Sequence, residues 1–263
     1  MKWNPDYLTK KMSKDSRKTL INLGIESSDL PDRLIVVGDP ARAKVAALML
    51  DDHFEVGRNR EYVTFRGNHD SVPVAVVSHG VGAAGAAICF EELCQAGVQR
   101  IIRAGTAGGL QRQILDGNLV NVIGAVRDEG VSPRIVPTSY PAIPAIEIVR
   151  DIESASEGQD SVHKGIVLST DLFYPHKILG SNMKLWQESG VVAVEMECSI
   201  LFVIASLYGI KSGAILAIDG NPLAKNDEEM SDYNPYRSVV KETVDIALKI
   251  ALDALIVGHV SSK

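Results

Sequence analysis

The sequence contains few cysteines and no long apolar run. Three cysteines occur in 263 residues, at positions 89, 94 and 198, and none forms a Cys-x-x-Cys pair. Disulfides and zinc are therefore disfavoured, and we expect buried thiols in a reducing, cytoplasmic compartment. The amino terminus has charges but no apolar stretch behind them, and no segment is apolar for long enough to span a bilayer. Neither a signal peptide nor a membrane association is expected.

An excess of positive charge is also missing. The 27 lysine and arginine residues are outnumbered by 33 acidic residues, which gives a formal net charge of -6. Nucleic acid is therefore not expected as a partner, because phosphate backbones require clustered basic side chains. With 46% hydrophobic and 23% charged residues, the chain has the composition of an ordinary globular protein.

Apolar segments of strand length alternate with segments of helical pattern along most of the chain. Strands are predicted at 34–37, 53–67 (one or two), 72–78, 98–102, 119–126, 164–169, 191–194 and 213–218. Helices are predicted at 41–50, 86–95, 145–156, 182–189, 198–208 and 236–257, and long loops at 127–144 and 221–232. This alternation predicts an α/β protein with a largely parallel, twisted sheet. Since no linker or repeat divides the chain, we expect a single domain over 1–263, with a polar arm over 1–20 that continues to about residue 30.

The segment Arg103-Ala104-Gly105-Thr106 follows the predicted strand 98–102. In an open α/β sheet, ligands bind at the carboxyl ends of the strands. A guanidinium, a hydroxyl and closely approaching backbone N–H groups suit an anion, above all phosphate. The alternative is a turn in which Arg103 pairs with a surface carboxylate, and this segment alone does not decide between the two.

Residues 80–85 match the pattern G-x-G-x-x-G between a predicted strand and a predicted helix. The dinucleotide-binding form of this pattern also requires an acidic residue about 20 positions later, and Arg103 stands there. Nicotinamide binding is therefore disfavoured, although the glycines still indicate that backbone or ligand approaches this helix start closely. His79, just before them, is expected to make a structural hydrogen bond.

Three acidic residues have unusual positions. Glu195 and Glu197 follow the apolar strand 191–194, and the period of two directs both carboxylates to the same side. They could accept hydrogen bonds from vicinal hydroxyls, as in ribose, or one of them could stabilise the start of the following helix. Asp219 follows the strand 213–218, where it is either a capping residue or a partly desolvated carboxyl group suited to donating a proton.

Six motifs occur in a fixed order along the chain. They are Gly38-Asp39-Pro40-x-Arg42, Asn59-Arg60-Glu61-Tyr62, Ser78-His79-Gly80-x-Gly82, Arg103-Ala104-Gly105-Thr106, Ser169-x-Asp171-x-Phe173-Tyr174 and Val194-Glu195-Met196-Glu197. From about residue 20 to its end, the chain resembles the hexameric type of the nucleoside phosphorylase family, which includes purine nucleoside and uridine phosphorylases. The resemblance implies a three-layer α/β/α sandwich around a mixed sheet. It also implies a homo-oligomer, with a dimer as the minimal unit and a hexamer as a trimer of dimers, in which a neighbouring subunit completes each active site.

The resemblance implies roles for residues in these motifs. The implied phosphate-binding residues are Gly38, Arg42, Arg60, Arg103 and Thr106. The implied nucleoside-binding residues are Asn22, Phe173, Glu195, Met196 and Glu197. Arg60 and Asn22 would reach into the neighbouring subunit's site. Asp219 and Arg103 would be the catalytic residues, with Asp219 protonating N7 of a purine. Inorganic phosphate is then a co-substrate, and neither a cofactor nor a metal is expected.

Departures from the family pattern bear on specificity. Asn22 stands where family members usually carry a histidine that reaches the ribose 5′-hydroxyl, and Lys177 and Leu179 replace the glutamine and arginine that read uracil. The segments 174–179 and 219–222 instead resemble purine enzymes of protozoan parasites. The sequence therefore predicts phosphorolysis of purine nucleosides such as inosine and guanosine. The alternatives are a uridine or broad-specificity phosphorylase, a hydrolytic nucleosidase, and a nucleoside-binding protein without turnover.

Overall fold

The computed structural model describes residues 18–175, 178, 180–223, 234 and 237–258. The strands are β1 (Thr19–Leu20), β2 (Ile25–Glu26), β3 (Arg33–Val37), β4 (Asp51–Asn59), β5 (Tyr62–His69), β6 (Val72–Ser78), β7 (Arg100–Gly109), β8 (Leu119–Asp128), β9 (Val162–Thr170), β10 (Ala193–Glu195) and β11 (Lys211–Gly220). The helices are α1 (Pro40–Ala47), α2 (Ala83–Gln95), α3 (Ser132–Ile135), α4 (Ile146–Ala155), α5 (Met183–Glu188), α6 (Cys198–Leu207) and α7 (Ser238–Ile256), and a 3-10 helix covers Ser27–Asp29. Within these described ranges, no helix combines the length and the apolar character needed to cross a membrane.

Nine of the strands form one mixed sheet in the order β10-β9-β8-β11-β7-β3-β6-β5-β4. In its centre, β7 pairs in parallel with β3 and with β11. The hairpin strands β4, β5 and β6 pair antiparallel at one side. At the other side β10 pairs with β9 and also with β7, at Gly108 and Gly109. The strands β7, β11, β8, β9 and β10 therefore close into a ring at the carboxyl end of β7.

Side chains of β3 alternate between two apolar cores. Leu34 and Val36 pack in the core that contains α2 and α6. Ile35 and Val37 face the opposite core, which contains α1, α4 and α7. A strand that is apolar on both faces needs helices on both faces. The predicted three-layer α/β/α sandwich is thereby confirmed.

The three cysteines are free thiols in the core, as the sequence predicts. Burial raises the pKa of Cys89 and Cys198 well above the ordinary thiol value. Because the thiolate is the reactive form of cysteine, this shift disfavours reactivity, and the two side chains contribute to core packing.

The predicted end of the central strand at residue 102 is wrong. β7 continues to Gly109, so Arg103 lies within the strand and the glycines after it form no loop. The continuation has a partner on each side, because β11 pairs with β7 as far as Gly108 and β10 pairs with Gly108 and Gly109. Pairing with two neighbouring strands outweighs the turn preference of glycine, which is a local effect.

Other predicted boundaries also need correction. The amino-terminal arm ends earlier than predicted, since β1 and β2 pair as a hairpin with Leu20 and Leu23 fully buried. The predicted loop 127–144 contains the end of β8 and the short helix α3. The predicted strand 191–194 is found as Ala193–Glu195. Residues 1–17 and most of the predicted loop 221–232 lie outside the described residues.

Candidate active site

The carboxyl ends of six strands, β3, β6, β7, β9, β10 and β11, surround one cleft with a volume of about 570 Å³. The predicted site residues that line it are Gly38, Arg42, Arg103, Thr106, Phe173, Glu195, Met196, Glu197 and Asp219. These residues come from distant parts of the chain, so the fold brings them together as the motifs suggest. Their position fits the rule that α/β sheets bind ligands at the carboxyl ends of their strands.

Arg103 lies at the floor of the cleft and is 3% exposed. Its Nη2 donates to Glu197 Oε2 at 2.6 Å and to Glu195 Oε2 at 3.3 Å. Burial lowers the pKa of Arg103, but the attraction of Glu197 and then of Glu195 outweighs it and holds the pKa above the ordinary arginine value. The buried Nε of Arg103 has no hydrogen-bond partner among the described residues. The floor of the cleft therefore carries a permanent cation with one unused charged donor.

Gly105 makes room for the Arg103 guanidinium. A Cβ atom at this position would lie 2.7 Å from Cζ of Arg103, closer than side chains approach each other. The glycine is therefore required by the folded position of the arginine rather than by a turn.

His79 holds the other side of the guanidinium. Its Nε2 lies 3.1 Å from Arg103 Nη1, and its side chain is fully buried. Burial and then the Arg103 cation lower the pKa of His79 well below its ordinary value, so the ring is neutral near pH 7. Because arginine can only donate, Nε2 is the acceptor. This contact is the structural hydrogen bond expected from the sequence.

Glu195 and Glu197 share Arg103 but differ in their other partners, and these contacts bear on one of the two alternatives left open by the sequence, the start of the following helix. Glu195 Oε2 accepts from the backbone N–H of Glu197 at 2.8 Å, and both of its carboxylate oxygens accept from the N–H of Cys198 at 2.9 and 3.0 Å. Glu195 therefore satisfies the start of α6, where a negative charge is favourable. Glu197 Oε1 instead accepts from the N–H of Gly82 at 2.6 Å, while Oε2 contacts Arg103.

The contact with Glu197 explains part of the G-x-G-x-x-G pattern. Gly82 has a φ of 89° directly before α2, and this backbone turns its N–H towards the carboxylate. At Gly80, a Cβ atom would lie 2.8 Å from Cγ of Glu61. The close approach predicted from the glycines is thus made by the protein's own acidic side chains.

Asp219 lies in β11, one residue before its end, and is 4% exposed. Its carbonyl oxygen accepts from Arg237 Nη2 at 2.7 Å, and Arg237 Nη1 pairs with Asp116. Both Arg237 and Asp116 line the cleft, and the sequence analysis missed them. In the sequence, Arg237 is distinguished only by its position directly before a long amphipathic helix. Many surface arginines have such a position, so it does not indicate a site residue.

One side of the cleft is apolar and includes Leu172, Phe173 and Met183. Phe173 packs edge to face against Tyr174, with 4.9 Å between ring centroids. Asn221 lines the same cleft and its Oδ1 accepts from the N–H of Leu223 at 2.9 Å. The prediction that rests on Lys177 and Leu179 falls outside the described residues.

Arg60 and Asn22 do not line this cleft. Arg60 lies in the tight turn between β4 and β5, with a φ of 54°, and is exposed. The side-chain Nδ2 of Asn22 donates to Glu92 Oε1 at 2.7 Å, and the backbone carbonyl of Asn22 accepts from Asn59 Nδ2 at 2.8 Å. The two residues therefore belong to one surface outside the chain's own cleft. That they serve a neighbouring subunit stays a prediction.

Comparison with known proteins gives consistent matches. Residues 32–256 match the model of the phosphorylase superfamily. The chain is 36% identical over 237 residues to a purine nucleoside phosphorylase of Plasmodium falciparum, covering 89% of this chain and 95% of the relative. It is 33% identical over 235 residues to a guanosine phosphorylase of Halorubrum lacusprofundi, covering 89% and 97%. A uridine phosphorylase of Treponema pallidum is 37% identical over 210 residues, covering 76% and 81%.

Solved structures agree with these relatives. The crystal structure of purine nucleoside phosphorylase from Toxoplasma gondii in complex with immucillin-H superimposes with a TM-score of 0.85 at 30% identity, covering 92% of this chain and 96% of that one. The chain therefore belongs to the phosphorylase superfamily and is an enzyme of the nucleoside phosphorylase type.

Proposed function

We propose that the enzyme cleaves purine nucleosides, with inosine and guanosine as substrates, to the free base and ribose 1-phosphate. The observation that carries the proposal is the 2.6 Å contact between Arg103 and Glu197 in a cleft that also contains Asp219. It supports the proposal because one ligand-sized space contains a cation suited to phosphate, a carboxylate suited to ribose hydroxyls and a second carboxyl group suited to protonating the base. The names of the purine-specific relatives support the same substrate class.

The phosphate-binding part of the proposal rests on Arg103 and its neighbours. Arg42 and Thr106 line the cleft beside it, and Gly38 contributes backbone without a side chain. Guanidinium groups and hydroxyls bind phosphate oxygens through charge-assisted hydrogen bonds.

The reaction follows from these positions. A phosphate oxygen attacks C1′ of the ribose while the C1′–N9 bond breaks, and the bonding electron pair leaves with the base. Asp219 donates its proton to N7, which neutralises the negative charge that develops on the purine. Glu197 accepts hydrogen bonds from the 2′- and 3′-hydroxyls and holds the sugar while positive charge develops at C1′.

A homo-oligomer completes the proposed site. Arg60 and Asn22 lie together on a surface outside their own cleft, where a second copy of the chain can approach them. We propose that Arg60 supplies a further cation to the neighbouring phosphate site and that Asn22 borders the neighbouring ribose, in a hexamer built from dimers.

A substrate panel with and without phosphate tests the proposed function. We expect cleavage of inosine and guanosine that depends on phosphate and releases ribose 1-phosphate. Cleavage of uridine with inosine untouched would identify a uridine phosphorylase instead. Turnover without phosphate would identify a nucleosidase, and nucleoside binding without turnover in either buffer would identify a binding protein.

The pH dependence of nucleoside binding provides a test of Glu197. Burial raises the pKa of Glu197 above the ordinary glutamate value, although Arg103 opposes this. The ionised form accepts hydroxyl hydrogen bonds, so binding is complete above this raised pKa and is lost as pH falls through it. We expect KM for inosine to rise on acidification before exposed glutamates titrate, and Glu197→Gln to raise KM and remove this dependence. An acid limb that survives unchanged in Glu197→Gln would assign it to another group.

A further inference from the structure

We infer that Ser169 is a positioning residue for the phosphate site, acting through Glu195 on Arg103. The inference rests on the proposed function, because it assigns phosphate to Arg103. Ser169 is fully buried near the end of β9 and does not line the cleft. It stands directly opposite Glu195 in the parallel pairing of β9 with β10.

The Ser169 hydroxyl both donates and accepts a hydrogen bond. Its Oγ donates to Glu195 Oε1 and accepts from the backbone N–H of Ser199 at 2.9 Å. A hydroxyl with one donor and one acceptor partner has a fixed orientation. Ser169 therefore links the end of β9 to the start of α6 and, together with the backbone N–H of Cys198 at 3.0 Å, fixes Oε1 of the buried carboxylate.

Glu195 transmits this orientation to the cleft. Its other oxygen, Oε2, accepts from the N–H groups of Glu197 and Cys198 and from Arg103 Nη2. The contact with Arg103, at 3.3 Å, is the longest of these three. A carboxylate that rotates after losing Ser169 keeps its backbone partners more easily than this long contact. The guanidinium then shifts towards Glu197, and its donors no longer point where phosphate binds.

Ser199 offers a matched control from the same region. Its side chain is also fully buried, and its Oγ donates to a buried glutamate, Glu129, at 3.1 Å. Glu129 accepts from Ser132 and from the N–H of Val131, and none of these contacts reaches Arg103. Ser199→Ala therefore removes an equally buried serine–glutamate hydrogen bond but leaves Glu195 unchanged.

The experiment compares Ser169→Ala, Ser169→Thr and Ser199→Ala with the wild type. Phosphate affinity is measured by calorimetry, and KM for phosphate, KM for inosine and kcat are measured by steady-state kinetics. In Ser169→Ala we expect the phosphate Kd and KM to rise about tenfold, as for loss of one hydrogen bond to a charged group. The KM for inosine is expected to change much less. Ser169→Thr keeps the hydroxyl and should restore most of the phosphate affinity, while Ser199→Ala should leave it near the wild-type value.

The outcomes separate this inference from the proposed function. If Ser169→Ala weakens phosphate binding no more than Ser199→Ala does, the inference is wrong. If the wild type binds phosphate but cleaves no nucleoside, the proposed function fails, and the calorimetric comparison still decides on Ser169. A wild type that binds no phosphate overturns both. Should Ser169→Ala not fold, Ser169→Cys replaces the hydroxyl by a weaker donor of similar size and should bind phosphate less tightly than the wild type and Ser199→Ala.

Discussion

Arg103→Ala is expected to lower phosphate-dependent turnover by about three orders of magnitude, since it removes a preorganised cation from a buried site. Phosphate saturation should suffer most, because Arg103 is the buried cation of the proposed phosphate site. The substitution also leaves Glu195 and Glu197 as buried carboxylates without their cation. We therefore expect the free energy of unfolding to fall by about 3–5 kcal/mol. Initial rates over a range of phosphate concentrations and urea unfolding measure the two effects.

Arg100→Ala separates binding from stability in this experiment. Arg100 belongs to the same strand, is largely buried and pairs with Asp151, but it does not line the cleft. Its removal should also destabilise the fold, because Asp151 loses its partner. Phosphate saturation should nevertheless stay near the wild-type value. An Arg103→Ala enzyme that keeps the wild-type phosphate dependence would refute the assignment of Arg103 to phosphate.

Asp219→Asn is expected to lower kcat for inosine by about 10²- to 10³-fold, the usual contribution of general acid catalysis. The amide fills the same volume, so substrate binding should be largely retained, but it cannot release a proton to N7. The effect should therefore appear in kcat rather than in KM. Single-turnover measurements with saturating phosphate and inosine report the chemical step directly.

Asp39→Asn is the matched control for charge. Asp39 lines the same cleft, and its Oδ1 accepts from the N–H of Ala41 at 2.8 Å at the start of α1. Asparagine caps helices about as well as aspartate, so the variant removes one negative charge without disturbing the fold. We expect kcat to change little. Equal losses in Asp39→Asn and Asp219→Asn would attribute the effect to the charge of the cleft, and an unchanged kcat in Asp219→Asn would exclude it as the acid.

Much of the fold follows from local pattern in the sequence. The run Leu34-Ile35-Val36-Val37 predicts a strand buried on both faces, and the structure finds helices on each side of it. The helix 145–156 is found as Ile146–Ala155, with its apolar side buried. Such elements are predictable because apolar periodicity is a property of neighbouring residues.

The parts that the sequence does not predict depend on contacts between distant residues. Nothing near Gly108 and Gly109 shows that β10 will pair with them. The Arg103 side chain lies over Gly105 because distant residues hold it there, namely His79, Glu195 and Glu197. Arg237 donates to the backbone carbonyl of Asp219, although it lies 18 positions later in the chain. The different partners of Glu195 and Glu197 likewise arise from α6 and Gly82, and the period of two predicts only that the carboxylates share a side.

The closure of the sheet by β10 also limits how this enzyme can evolve. Arg103, Thr106 and Glu195 stand in strands of the closed ring, so a substitution that moves them must disturb several strand pairs at once. Leu172 and Asn221, in contrast, lie directly after β9 and β11, outside the paired strands. In the proposed site, the side that binds the base can therefore change through substitutions in these two segments, whereas the side that binds phosphate is built on the closed ring.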